Sequence, residues 1–128
     1  GLMTATYRPT PQVPALDGMT PLGTTPLPVK VEMWVMDLID ALERSYVRQF
    51  PDSTEPVTFR AQKGRKYWKI MQNQGGVHAF IDKKTGEVYK PASWRGPAKY
   101  VRYDLRIIRE RAICMKNADW AGCYLYLR

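Results

Sequence analysis

Few residues of this chain are suited to catalysis, and their settings argue against it. His78 is the only histidine. It stands between Val77 and Ala79 in an apolar run typical of a strand, without the Gly-x-Ser-x-Gly turn that presents a nucleophile to a histidine base. We therefore expect a structural histidine whose ring makes hydrogen bonds inside the fold.

The carboxylates and glycines do not indicate an active site either. Paired carboxylates would have to come from Asp82, Glu87 and Asp104. The first two lie in a turn-like stretch, where acidic residues are common for conformational reasons. Gly75-Gly76 lacks the Lys and Ser or Thr that complete a phosphate-binding loop. We predict no catalytic residues and a protein that is not an enzyme.

The two cysteines, Cys114 and Cys123, are too few for a disulfide framework. Together with His78 they supply three soft ligands, whereas a structural zinc site needs four. We predict reduced thiols in a cytosolic setting, no bound metal and no cofactor.

The distribution of charge favours binding to a polyanion. Residues 60–111 carry fourteen Lys and Arg against four Asp and Glu, whereas residues 1–59 carry four against seven. A basic segment joined to a mildly acidic one is typical of a surface that faces a polyanion. Nucleic acid is the commonest such partner, followed by acidic proteins and lipid headgroups. A basic face that serves only solubility is the alternative.

Aromatic residues interleave with these cations, a mixture that commonly binds single-stranded nucleic acid. Cations neutralise phosphates with release of counterions, and aromatic faces stack on unpaired bases at roughly 1–3 kcal/mol each. A small sheet should need Trp68, Phe80 and Trp94 to fill its core, which leaves three tyrosines for the surface. The predicted phosphate contacts are Lys66, Lys69, Lys83, Lys84, Arg95, Lys99 and Arg102, and the predicted stacking residues are Tyr67, Tyr89 and Tyr100.

The elements that must position these side chains begin after an extended Pro-rich arm, residues 1–29. Six of the ten prolines lie between residues 3 and 29, so neither a helix nor a central strand is expected there. The arm either packs along the domain or orders when a partner binds. We interpret Gly1-Leu2 ahead of Met3 as a cloning remnant, and no signal peptide is visible.

A helix is predicted over residues 30–50, the start of a single domain that spans residues 30–128. Apolar residues recur there at spacings of three and four, with charged residues between them, and Pro51 ends the pattern. The positions predicted to face the core are Val31, Val35, Leu38, Ile39, Leu42 and Tyr46. Trp34 and Met36 widen the stripe, which could alternatively serve as a dimer contact.

Short alternating runs separated by turn residues predict an antiparallel meander. The strands are expected at 57–61, 66–72, 77–81 and 88–90, with tight turns at Gly75-Gly76 and Gly86. An irregular loop follows over 91–103.

The remainder predicts a second helix and a last strand. Asp104 should cap a helix that continues to about Lys116. Its apolar face is formed by Leu105, Ile108, Ala112 and Met115 and widened by Ile107 and Ile113. Gly122 should prevent its continuation, and residues 124–127 alternate like a terminal strand. The fold class is therefore α+β, a small antiparallel sheet packed against one or two helices. No apolar run approaches the roughly 20 residues needed to cross a bilayer, so no membrane partner is expected.

Four segments resemble a group of small proteins encoded by tailed bacteriophages. The segments are KYWKI (66–70), VHAFID (77–82), KTGEVYKPASW (84–94) and PAKYVR (97–102), matching a shared pattern KYxKI…VxxFVDxxTGxVxKxASW…PAxxxR. The match covers roughly the middle third of the chain. The group has no settled biochemical activity, so the resemblance implies no catalytic residues. It does imply a phage-encoded protein that works in the host cytoplasm, and its motif either serves function or defines the fold through a buried Trp94.

Two functions follow as hypotheses. The first is a non-enzymatic phage accessory protein that binds nucleic acid, single-stranded by preference, through the basic hairpin and the loop after it. The second is a protein-interaction module that modulates a host or virion protein through the Pro-rich arm and the helix at 30–50, with an acidic host protein as the alternative partner of the basic surface. Oligomeric state does not follow from the sequence.

Overall fold

The computed structural model describes residues 25–126, in which one long helix packs across a five-stranded sheet. The elements are α1 (Leu27–Gln49), β1 (Phe59–Lys63), β2 (Tyr67–Gln72), β3 (Val77–Asp82), β4 (Glu87–Tyr89), β5 (Tyr103–Asp104), α2 (Ile108–Asn117) and a 3-10 helix at Cys123–Leu125. The strands pair in sequence order and every neighbouring pair is antiparallel. The predicted α+β meander is confirmed. Residues 1–24, most of the predicted arm, lie outside the described residues.

Helix α1 begins at Leu27, three residues before the predicted start. Pro28 lies in the first turn, where a backbone N–H has no partner within the helix and its loss costs nothing. At the other end the Phe50 N–H donates to the Tyr46 carbonyl, and Pro51 follows. The two prolines thus bracket the helix, one at its first turn and one just after its end.

The core lies between α1 and one face of the sheet, here called the inner face. Val31, Val35, Leu38 and Leu42 are fully buried, as their spacing predicts, whereas Ile39 and Tyr46 are half-buried at its edge. The sheet contributes Phe59, Trp68, Ile70, Ala79, Ile81 and Val88 from alternate positions of its strands. Burial of these side chains supplies the main stabilisation of the fold, since each large apolar side chain among them contributes about 1.5–3 kcal/mol.

A bulge in β3 places His78 on the inner side of the sheet. Ile70 pairs with Ala79 but Met71 pairs with Val77, so His78 is the additional residue in its strand. Its Nε2 lies 2.8 Å from the Tyr124 hydroxyl, and its ring stacks on the Tyr124 ring. Tyr103 donates from its hydroxyl to the Tyr124 carbonyl at 3.0 Å. The histidine is therefore structural in its contacts, as expected.

The predicted terminal strand is wrong within the described residues, and residue 127 lies beyond them. Cys123–Leu125 forms a 3-10 helix that follows Gly122, whose φ is +84°. The Asp119 carboxylate accepts hydrogen bonds from the N–H groups of Ala121, Cys123 and Tyr124. This carboxylate holds the chain in a tight turn, so Tyr124 and Leu125 are both buried although they are adjacent.

Helix α2 begins at Ile108, three residues later than predicted. Asp104 does not cap it, because the Asp104 residue pairs with Glu87 in the sheet and its carboxylate accepts from Arg106 at 2.8 and 3.0 Å. Ile107 and Ile108 are exposed, contrary to the predicted apolar face, and Cys114 is the buried residue of the helix. Neither helix in residues 25–126 has the length and apolar character to span a bilayer.

We expect the fold to lose stability in acid through His78. Burial lowers the pKa of this imidazole from 6.5 to about 4, against the opposing effect of Asp119. The unfolded chain therefore takes up the proton first, and the free energy of unfolding falls as the pH drops from 6.5 towards 4. Urea unfolding should show a loss of about 3 kcal/mol at pH 4 relative to pH 7 from this group.

His78→Gln is the matched control for this titration, because it retains polar side-chain atoms and leaves every carboxylate in place. Its free energy of unfolding should change less with pH than that of the unmodified protein over the same interval. Parallel pH profiles of the two proteins would contradict the assignment.

Candidate nucleic-acid interface

The sheet face that points away from α1, here called the outer face, carries Tyr67, Lys69, Met71, Phe80, Asp82 and Tyr89. Strand alternation places Tyr67, Lys69 and Met71 there, because Trp68 and Ile70 are in the core. The register sets Lys69 opposite Phe80, and Phe80 opposite Tyr89. Met71 and Phe80 are buried on this side, so the outer face has an apolar floor of its own.

Three rings pack edge to face across β2, β3 and β4. The Tyr67 ring centroid lies 5.9 Å from that of Phe80 and 6.0 Å from that of Tyr89. Both tyrosines are half-buried. Burial and the Glu87 carboxylate raise the pKa of Tyr89, so its phenol stays protonated. Lys66 Nζ lies 5.4 Å from the centre of the Tyr67 ring and Lys69 Nζ lies 6.0 Å from that of Phe80.

The β4–β5 loop, residues 90–102, folds back towards the outer face. Pro91 forms an isolated antiparallel bridge with Pro97, and the Ala98 N–H donates to the Lys90 carbonyl at 2.8 Å. The resulting hairpin-like loop places the Trp94 ring under Lys69, with Nζ 4.2 Å from the ring centre. The Trp94 side chain is nonetheless 57% exposed.

Trp94 corrects two expectations from the sequence. Its ring does not fill the core, and it does not lock the loop through burial. Of the three rings predicted to fill the core, only Trp68 belongs to the core beneath α1, whereas Phe80 is buried on the outer face. Trp94 therefore belongs with the candidate binding residues. The neighbouring Ser93, Gly96 and Pro97 are typical of an exposed loop tip, and in the sequence they indicate that Trp94 is exposed.

Three of the predicted cations lie at the end of the sheet where the β1–β2 and β3–β4 turns meet. The Lys83 N–H donates to the Lys66 carbonyl at 3.0 Å, and Lys83 Nζ donates to the Gly64 carbonyl at 2.6 Å. Lys84 is exposed in the same turn, where its N–H donates to the Asp82 carboxylate at 2.8 Å. Asp82 is thus used to hold the turn that presents these lysines.

The ten predicted residues occupy three places. Tyr67, Lys69 and Tyr89 are on the outer face, and Lys66, Lys83 and Lys84 are at its turn end. The β4–β5 loop carries the remaining four, of which Arg95, Lys99 and Tyr100 are exposed and Arg102 is half-buried. The Arg102 N–H donates to the Val88 carbonyl at 2.7 Å, next to the sheet. Ring contacts join the first group and Lys66. A lysine also meets an exposed ring where Lys90 Nζ lies 4.5 Å from the centre of the Tyr126 ring. The sequence does not predict this pair, because its alternating pattern puts Tyr126 in a strand.

Acidic side chains neutralise little of this charge within residues 25–126. Arg106 is held by Asp104 and Glu87, and Arg44 pairs with Asp40 on α1. The Arg106 guanidinium also lowers the pKa of Asp104. Six of the seven predicted phosphate contacts form no ion pair with a described residue: Lys66, Lys69, Lys83, Lys84, Arg95 and Lys99.

The carboxylates considered for catalysis have structural partners. Asp82 accepts from two backbone N–H groups, Glu87 accepts from the Thr85 hydroxyl at 3.0 Å, and Asp104 binds Arg106. In the part of the chain that the structure describes, no three potential metal ligands come together. Both cysteines are free thiols, Cys114 buried and Cys123 exposed.

Residues 25–127 match the model of a family described as a family of unknown function, DUF7717, and the chain belongs to that family. No curated protein and no solved structure matches the chain.

We expect Trp94→Ala to change stability little, because the ring is exposed and its main contact is a lysine. A loss below about 1 kcal/mol is expected, against roughly 3–5 kcal/mol for Trp68→Ala in the core. Thermal and urea unfolding of the two variants measure the difference. A loss at Trp94 as large as that at Trp68 would show that the ring is buried.

Proposed function

We propose that this family member is a non-enzymatic nucleic-acid-binding protein that takes single-stranded DNA or RNA on its outer face and β4–β5 loop. The observation that carries the proposal is the Lys69–Trp94 pair, an exposed ring with an ammonium group 4.2 Å from its centre. A ring in this setting can stack on a base while the lysine neutralises the adjoining phosphate. The motif resemblance supports an accessory role for a phage in the host cytoplasm.

The two layers of the molecule differ in charge as the proposal requires. Residues 59–106, which hold the strands and the β4–β5 loop, contain twelve Lys and Arg against three Asp and Glu. Helix α1, on the other side of the sheet, contains three against four. An approaching polyanion is therefore attracted more strongly to the sheet and loop than to α1.

Tyr100 gives a second line of support from backbone strain. Its φ of +72° is in the left-handed region, and its side chain is 74% exposed. A non-glycine residue in that region costs about 1 kcal/mol, and an exposed ring recovers little of this by burial. Stacking requires an exposed ring, and backbone strain at the residue that displays it points to a function for that position.

A protein-interaction role is the second candidate function, because several apolar residues of α1 are exposed to solvent. Val29, Met33 and Met36 are each about half exposed on the helix, and Met33 shares a shallow groove with the exposed Ile108. A partner held on this patch would bind independently of the outer-face cations, which distinguishes the two functions.

Removal of single cations should reduce the salt dependence of oligonucleotide binding. Each phosphate contact contributes about 0.7 to the slope of log K against log salt for a single strand, so Lys69→Ala and Lys99→Ala should each lower the slope by about that amount. Fluorescence polarisation with a labelled oligothymidylate across a salt series measures it. Arg48→Ala, on the exposed side of α1, is the matched control and should leave the slope unchanged. An affinity that ignores salt would reject the proposed function.

Tyr100→Asn should stabilise the free protein and weaken binding. Asparagine tolerates the left-handed region, so the free energy of unfolding should rise by up to about 1 kcal/mol. Loss of one stacked ring should raise the Kd for the oligothymidylate by roughly 5- to 100-fold. Urea unfolding and polarisation on the same preparation measure both effects. An unchanged Kd in a correctly folded variant would remove Tyr100 from the interface.

A further inference from the structure

A cleft lies at the end of the sheet, between the β2–β3 turn and the C-terminal 3-10 helix. Its volume is about 320 Å³, and its lining includes Gln72, Gly75, Gly76, Trp120, Gly122 and Tyr126. We propose that this cleft takes one unpaired nucleobase of the bound strand. The inference rests on the proposed function and adds a base-binding site to the phosphate and stacking contacts described above.

Three glycines are among the residues that line the cleft. Gly75 and Gly76 both have positive φ values, and a Cβ at either position would meet no atom within 4 Å. A Cβ at Gly122 would lie 3.5 Å from the His78 ring. The glycines therefore line the cleft with bare backbone, which lets a planar ring approach closely. Trp120 and the exposed ring of Tyr126 complete the lining with aromatic surface.

The chemistry of the lining suits an uncharged ring and not a phosphate. No Lys, Arg, Asp or Glu lines the cleft within residues 25–126. His78, the one titratable imidazole there, is buried, and Tyr124 occupies its Nε2. The amide side chain of Gln72 can both donate to and accept from the edge of a base.

The phosphate that accompanies such a base has a partner at the rim. Lys90 Nζ lies 4.5 Å from the centre of the Tyr126 ring, and Lys90 precedes Pro91, which lines the cleft. Lys90 also begins the loop that carries Trp94. A strand that follows this loop from Trp94 reaches Lys90 at the end of the sheet, where its next accessible base can enter the cleft beside Tyr126. The volume is at the lower end of the roughly 300–1,000 Å³ of small-molecule sites, so the occupant is a single small group.

Ala121→Trp tests the inference, because Ala121 is exposed and lines the cleft while making its hydrogen bond to Asp119 through the backbone. The new indole should fill the cleft without removing a cation. Polarisation with an oligothymidylate should show a Kd raised by roughly 5- to 100-fold, the loss of one stacked base. An abasic strand of the same length should bind both proteins equally, with the same salt slope.

The outcomes separate this inference from the proposed function. If the unmodified protein binds neither strand, the proposed function fails, and titration with thymidine 5′-monophosphate decides whether the cleft alone binds a base. The amide resonances of Gly75, Gly76 and Gly122 should shift in the unmodified protein and not in Ala121→Trp. Absence of these shifts, or an equal Kd of both proteins for the oligothymidylate, would overturn the inference. Tyr126→Ala is the second variant and should show the same pattern of losses if Ala121→Trp does not fold.

Discussion

The packing of α1 on the inner face is the constraint on which the rest of the structure depends. This packing buries one face of the sheet, and alternate side chains of each strand point into the core. The side chains between them must then point to the opposite face. Trp68 and Ile70 are inward, which fixes Tyr67 and Lys69 as outward residues. The outer face is therefore a geometric consequence of the core, and a one-residue change of register in β2 would bury Lys69 and expose Trp68.

The features predicted from the sequence are those that depend on short-range chemistry. The spacing of Val31, Val35 and Leu38 needs only the helical period to be recognised, and the turns at Gly75-Gly76 and Gly86 follow from positive φ values that glycine adopts without strain. The features that failed depend on distant partners. Asp104 looks like a helix cap until its pairing with Glu87 is known, and Tyr124-Leu125 alternates like a strand until the Asp119 carboxylate bends it into a turn.

The candidate site divides in the same way. Charge can be counted along the chain, so the basic segment is predictable from the sequence. Lys66, Lys83 and Lys84 of this segment do come together at one end of the sheet. The exposure of a ring depends on the path of the loop that carries it. The composition of residues 90–102 does not show that Pro91 and Pro97 pair, or that the Trp94 ring lies under Lys69 and is exposed to solvent. Phe80 is the converse case, because it is buried as predicted but on the face opposite the main core.

The rings of Trp94 and Tyr100 in the β4–β5 loop lie outside the core of the free protein. The core between α1 and the sheet does not include Trp94 or Tyr100. The loop that carries them is held by backbone hydrogen bonds, such as those of Ala98 and Arg102. Exposed aromatic surface has a cost in water, and Tyr100 adds a strained φ to it. A loop that keeps both features beside unpaired lysines is poorly explained by folding alone. Contact with a ligand that offers planar bases and phosphates would cover the exposed rings and neutralise the cations in the same event.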